Sequence, residues 1–274
     1  MIMRKSAWHL LNLAILLFLP APLFIVAAVS VSPDRFMTFP PSGFSLIWYK
    51  EFLTSPQWLS VLMVSTAIAA GAAIASTVAS LCVAPALDTA RASVRGAAET
   101  AIVSPLIFPH AAVGVAMVGF LVTLHLNGTA AGILLVHIIL CGPFAYRPIA
   151  AALQKIDSSM AEAAMSLGAN RRQCFFRVTL PLLAPGIITA LLFSFIISFD
   201  ETTITMFLIS PEVTTLPVQI YSRIRDAADP VIPAISTFLV IATLAIVLIL
   251  QRTVGLRFFV NPEEELRNPR QYAE

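Results

Sequence analysis

Charge is scarce in this sequence. Asp, Glu, Lys and Arg make up 12% of its 274 residues, about half the ~25% usual in soluble domains. The net charge of +2 supplies no strong basic field, so nucleic acid is not an expected partner. Cysteine is scarce too. Cys82 and Cys141 fall in apolar stretches and Cys174 in a polar one, an odd, scattered set with no disulfide framework or metal-ligand spacing. His9, His110, His125 and His137 are dispersed, so no Ser/His or metal cluster marks an enzyme. A G-x-x-x-x-G-K-[ST] phosphate loop is missing, and ATP hydrolysis by this chain is not expected. Neither a catalytic site, a metal site nor a bound cofactor is predicted.

What abounds is apolar sequence, 58% of the residues. It gathers into runs near the ~20 residues that a bilayer core requires of a helix. Six such runs lie at about 8–31, 59–85, 101–124, 129–151, 185–210 and 231–250. They predict an all-α polytopic membrane protein, one transmembrane domain over 1–274 with six spans. Arg4-Lys5 and the closing Ala27-Ala28-Val29-Ser30 also give the first run the form of a signal peptide. Its length of about 24 residues exceeds the usual signal core of about 7–15, which favours a retained span.

Basic residues orient the spans. With the N-terminus inside, Arg35, Lys50, Arg223 and Arg225 fall outside and the other basic residues, Arg257, Arg267 and Arg270 among them, fall inside. Both termini are then cytoplasmic, with outer segments at 32–58 and 211–230 and a cytoplasmic loop at 152–184. In the second run Ala67, Gly71, Ala75 and Ala79 recur every fourth residue, a spacing that lets helix backbones approach in lipid. A packing seam is the first reading and a pore-lining face the second. Outside, Phe44–Leu53 reads as an interfacial helix and Pro217–Ala227 as a helix opened by proline.

The loop has its own local grammar. Ser159 and Glu162 stand at capping-box spacing, which predicts a helix start at Ser159. Met160, Ala163, Ala164 and Leu167 follow at i, i+3, i+4 and i+7, one apolar stripe. Gly168 supplies a positive-φ stop, and Asn170 with Gln173 caps a second helix that Pro181 and Pro185 close. An apolar stripe on a small element projecting from a membrane calls for a partner.

The motif itself carries a resemblance. Glu162-Ala163-Ala164, three residues, Gly168, nine residues, Val178, one residue and Leu180-Pro181 resemble the E-A-A motif of binding-protein-dependent ABC importer permeases, with Val in place of the usual Ile. Ser198-Phe199-Asp200-Glu201, Thr215-Leu216-Pro217 and Ile220-Tyr221-Ser222 are similar to the second permease subunit of spermidine/putrescine-type importers. The resemblance implies a type I importer fold in the bacterial inner membrane and a second permease subunit, a heterodimer. It also implies two ATPase subunits that carry ATP and Mg, and a periplasmic substrate-binding protein. It implies further that Glu162, Ala163, Ala164, Leu167, Gly168, Leu180 and Pro181 form the ATPase-coupling contact. For Glu162 a cap and an inter-subunit contact both stay open.

Asp200 and Glu201 lie about 15 residues into the fifth run, roughly 22 Å along a helix at 1.5 Å per residue. Ionisable groups at such depth face a polar cavity or a partner. One reading makes them a pathway attracting a polyamine-like cation; the other makes them caps or ion pairs at a helix break, with Arg223 or Arg225. Adjacent residues point about 100° apart, so both face one pore only if the helix is broken there. His110 follows Pro109 where this group often carries an acid, which opens the pathway to another small amine, a zwitterion or a phosphonate-type solute. An ion-coupled secondary transporter using Asp200 and Glu201 is the alternative of a different class.

Overall fold

The computed structural model describes residues 2–226 and 229–254. Arg257, Arg267, Arg270 and Ala227, used above for orientation and for an outer helix, lie outside the described residues. Among the described residues every regular element is helical, and the chain divides into two compact units.

The smaller unit comprises Met1–Ser55 with Asp226–Glu274. It holds α1 (Ile2–Phe18), α2 (Ala21–Ser30), α3 (Ile47–Thr54) and, from the far end of the chain, α14 (Val231–Val254). Pro20 stands at the joint between α1 and α2, where a missing N–H costs least. The outer helix expected at Phe44–Leu53 begins later, at Ile47. Its Phe52 is fully buried and meets Phe238 of α14 edge-on, ring centroids 5.5 Å apart. Tyr49 Oη lies 2.7 Å from Ser30 Oγ, and Trp48 Nε1 donates to the Ser32 carbonyl at 2.9 Å. These bonds tie α3 to the end of α2.

The larger unit, Pro56–Arg225, is built on three helices that pack against one another: α4 (Pro56–Asp88), α7 (Ala130–Leu153) and α11 (Ala184–Asp200). Its core gathers Ile68, Leu121, Ile133, Val136, Leu140, Ile204 and Leu208 at one level, and Ala84, Leu87, Ala145, Tyr146, Ile149 and Ala190 at another. Along the middle of α4 the buried positions are Ser65, Ile68, Ala69, Ala72, Ala73, Ser76, Thr77 and Ser80. The expected seam of Ala67, Gly71, Ala75 and Ala79 sits at the edge of that face, with Ala67 and Ala79 exposed. Small residues occur on both sides of the helix, so their spacing alone did not fix which side faces α7.

Two runs read as single spans are broken. The third divides into α5 (Ala92–Val103), continued by a 3₁₀ turn at Ser104–Leu106, and α6 (His110–Thr123), with a 101° bend between. Pro105 and Pro109 bracket this bend, and proline removes backbone donors. The helix of the fifth run stops at Asp200; after four intervening residues α12 (Thr205–Leu208) begins, and α13 (Leu216–Asp226) follows with Pro217 in its first turn. Leu216 N–H donates to Ser65 Oγ at 2.6 Å, pinning the start of α13 to α4.

Asp34, between α2 and α3 in the smaller unit, gathers a knot of donors. Its carboxylate accepts from the hydroxyls of Ser32, Thr38 and Ser42 and from the Ser42 amide, at 2.6–3.2 Å. The bonds with Ser42 and Ser32 pull its pKa down to about 2 from an ordinary 3.8. A depressed carboxylate stabilises its surroundings fully above its ordinary pKa and loses that effect as pH falls through the depressed one. The Ser42 amide should therefore exchange hydrogen faster as pH drops from 3.8 towards 2, after correction for intrinsic exchange. Asp34→Ala should produce the acid pattern at neutral pH.

Candidate functional site

The loop after α7 is a compact helical hairpin. α8 (Ser158–Ser166) is capped by Asp157, whose carboxylate accepts from Ser159 N–H at 2.9 Å. That bond holds the Asp157 carboxyl below the ordinary carboxylate range. The start expected at Ser159 is thus one residue late, and the box with Glu162 does not form. A carboxylate outranks a hydroxyl as acceptor for an amide, and Asp157 stands in the better place. Glu162 instead lies exposed in the second turn of α8.

α8 ends on Gly168, at φ +90°. Gly168 N–H bonds the Met165 carbonyl and Ala169 N–H the Ala164 carbonyl, the paired bonds of a Schellman stop. Asn170 then opens α9 (Arg171–Cys174) with a complete capping box: Asn170 Oδ1 accepts from Gln173 N–H and Gln173 Oε1 accepts from Asn170 N–H, both at 2.9 Å. A π-helical turn (Phe175–Thr179) and α10 (Leu180–Leu182) lead back to α11 through a 64° bend. Val178 lies in the π-helical turn, and Leu180-Pro181 opens α10.

The hairpin closes on buried Cys174, whose Sγ lies 3.8 Å from the Ala161 carbonyl of α8. Its outer side carries Leu167, 90% exposed, with Met160, Met165 and Phe176. Ala163 is exposed and Ala164 half-buried. Glu162, Ala163, Ala164, Leu167 and Gly168 are therefore brought together on α8 and its stop, while Leu180 and Pro181 lie apart on α10.

A second constellation forms where α11 breaks. Glu201 is the residue after α11, its side chain 8% exposed. Glu201 Oε1 accepts from Ile204 N–H at 2.8 Å, and Oε2 lies 3.4 Å from His110 Nδ1 at the start of α6. Thr205 Oγ1 donates to the Glu201 carbonyl at 2.9 Å. Below it, His137 of α7 places Nε2 2.9 Å from Thr205 Oγ1 and Nδ1 2.8 Å from Ser198 Oγ. Of the three residues read as a pathway, His110 and Glu201 meet; Asp200 is exposed on the other side of the break. The break permits what an unbroken helix would forbid, a carboxylate turned inward beside one turned away.

His137, Ser198 and Thr205 were missed in the sequence. A lone histidine in an apolar run gives no local signal, and its partners lie 61 and 68 residues away. Beside the site, an apolar cavity of about 410 Å³ is lined by Pro105, Phe108, Ala112, Met117, Val136 and Leu140, among others. It follows the bend between α5 and α6, whose far end carries His110. Among the described residues no cluster of His, Cys, Asp and Glu could hold a metal ion.

Comparison with known proteins gives this geometry a context. A family model described as a binding-protein-dependent transport system inner membrane component matches residues 3–258. The putrescine transport system permease protein of Escherichia coli K12 is 32% identical over 251 residues, 86% of either chain. The spermidine/putrescine transport system permease protein of Haemophilus influenzae is 26% identical, covering 85% of this chain and 91% of its own. A Salmonella typhimurium LT2 permease assigned provisionally to 2-aminoethylphosphonate transport is 29% identical, covering 91% and 94%. A bacterial ABC transporter involved in import of the acidic polysaccharide alginate contributes a chain that matches with a TM-score of 0.67 at 19% identity, covering 92% and 96%. At that identity the likeness is one of fold.

The Glu201 cap gives a stability prediction. Glu201→Ala strands the Ile204 amide and should cost about 1–3 kcal/mol, the penalty of an unsatisfied buried donor. Glu201→Gln keeps an oxygen acceptor and should recover most of it. Thermal unfolding of the detergent-purified chain measures both.

Proposed function

The chain belongs to the family of binding-protein-dependent transport system inner membrane components, and from that premise we propose that it moves a small polyamine-like cation by alternating access. It is a permease subunit of an ABC importer, a transport component and not an enzyme. In the proposed assembly it pairs with a second permease. Two ATPase subunits bind ATP and Mg on the cytoplasmic side, and a periplasmic binding protein delivers the solute.

The observation that carries the coupling reading is the hairpin of α8 and α9. It exposes Leu167, Met160 and Met165 on a rigid, doubly capped element that continues directly from α7 and into α11. Ala163 and Ala164 allow close approach, and Gly168 alone among common residues adopts φ +90° without strain. Glu162 is exposed and outside the cap, which favours its partner-contact role over the capping one. Leu180 and Pro181 set the return bend rather than the docking face.

The substrate reading rests on the break. Glu201 offers negative charge deep in the chain, and the apolar cavity beside His110 suits the methylene stem of an aliphatic amine. His110 also favours a second reading. An imidazolium beside Glu201 would accept the acidic end of a zwitterion or an aminophosphonate, so another small amine of that kind is the alternative. The ion-coupled reading is set aside, because family membership assigns the driving force to a partner ATPase.

Reconstitution of the whole assembly in proteoliposomes, with labelled putrescine as probe, tests the function. Uptake should require ATP and the binding protein; full-rate uptake down a gradient without the ATPase would overturn the mechanism. Retention of a zwitterionic aminophosphonate in place of putrescine would select the second reading. Leu167→Glu removes a side chain whose burial contributes about 1.5–3 kcal/mol. It should therefore weaken ATPase capture roughly 10- to 100-fold while leaving the hairpin folded, as read by co-purification and circular dichroism.

A further inference from the structure

One buried group serves neither the hairpin surface nor the Glu201–His110 pair. It is the imidazole of His137, 1% exposed, with Ser198 5% and Thr205 0% exposed around it. A hydroxyl has one proton to give, and a carbonyl can only accept. Thr205 therefore spends its proton on the Glu201 carbonyl, 2.9 Å away. Its oxygen must then accept from His137 Nε2, so that nitrogen carries hydrogen. At Nδ1 the ring faces the Ser198 hydroxyl, which donates if the ring is neutral. A second ring proton would enclose a cation against two hydroxyls with no carboxylate in contact, at a large desolvation cost. Counting protons thus selects one state, the neutral Nε2–H tautomer.

The position of this ring gives the chain of bonds a use. α7 and α11 are joined at three heights. Near the hairpin, a Cβ on Gly186 would lie 2.6 Å from Ala152 Cβ and 2.9 Å from the Pro148 carbonyl, so the backbones touch there. Midway, Cys141 Sγ donates to the Ser194 carbonyl at 3.2 Å. At the top, His137 holds Ser198 of α11 with one nitrogen and Thr205 of α12 with the other. His137 stands about 22 Å from Ala152 along α7, at 1.5 Å per residue. Its ring thus contacts both sides of the break.

We propose that His137, as the neutral Nε2–H tautomer, is a positioning residue that latches the Glu201 turn to α7, so that the α7–α11 pair carries movement of the cytoplasmic hairpin to the Glu201 carboxylate. This rests on the ATP-coupled reading above. A histidine that merely filled space would need no particular tautomer, and its hydroxyl partners would be dispensable for motion.

The test uses the full assembly, co-expressed with its partner subunits and held in lipid nanodiscs. ¹⁵N spectra of labelled histidine, with the His137→Gln spectrum to assign the signal, should show a neutral ring protonated at Nε2. An Nδ1–H ring or an imidazolium overturns the proposal and leaves the ATP-coupled reading standing. In the second arm, spin labels at Met63→Cys and Glu212→Cys in a Cys82→Ser background report the distance change on adding ATP, Mg and vanadate. Thr205→Val should abolish that change and Thr205→Ser restore it. Persistence of the change in Thr205→Val overturns the latch. Its absence in the labelled parent overturns the latch and the ATP-coupled reading together.

Discussion

A helix that stops inside a membrane protein must satisfy its own loose ends, because lipid supplies neither donor nor acceptor. That constraint shapes the larger unit around residue 201. α11 ends at Asp200, and backbone groups of the turn that follows find partners within residues 201–206. The Ile204 amide takes the Glu201 carboxylate, the Glu201 carbonyl takes the Thr205 hydroxyl, and Met206 N–H returns to the Thr202 carbonyl. The turn is consequently specified rather than loose. A charged side chain is tolerated there because it does backbone work, and the same work fixes where the carboxylate points.

The hairpin of α8 and α9 obeys the same logic. Its geometry is set by backbone bonds: an Asp157 cap, a Schellman stop at Gly168 and a reciprocal Asn170–Gln173 box. Its side chains are consequently free to face outward. Such an element keeps its shape through its own backbone bonds, whatever meets its surface. Close packing of α7 against α11 at Gly186 means that a push at the hairpin meets a pair of helices rather than one. The two Pro residues inside α7, Pro143 and Pro148, do not interrupt it, because neighbouring helices pack along its length.

Legibility from sequence followed the range of the interactions. Gly168 and the Asn170–Gln173 box were readable because each acts within four residues, and the structure contains both. The helix cap lies two residues earlier than the sequence suggests because Asp157 and Ser159 compete for the same job, and spacing to Glu162 favours the wrong one. The apolar runs were readable as membrane segments, but their continuity was not. Hydropathy averages over Pro105 to Pro109 and over Glu201 without registering a bend of 101° or the end of a helix. The polar network was invisible for a different reason. His137, Ser198 and Thr205 become a constellation only when α7, α11 and α12 are brought together.

This division of labour also explains how one architecture can serve different cargoes. The hairpin's shape depends on caps and stops whose energetics are indifferent to what crosses the membrane. The break depends on one carboxylate, one imidazole and an apolar cavity, and small changes there alter charge and shape without touching the hairpin. Exchange of a single group at position 110 or 201 would alter the His110–Glu201 contact, yet leave the α7–α11 contact at Gly186 intact. A shared fold with an alginate importer at 19% identity is what such separation allows. His137 on α7 is the place where α11 and the residues beyond the break meet. Its partners are hydroxyls rather than charges, so the Glu201 carboxylate is left to the Ile204 amide and His110.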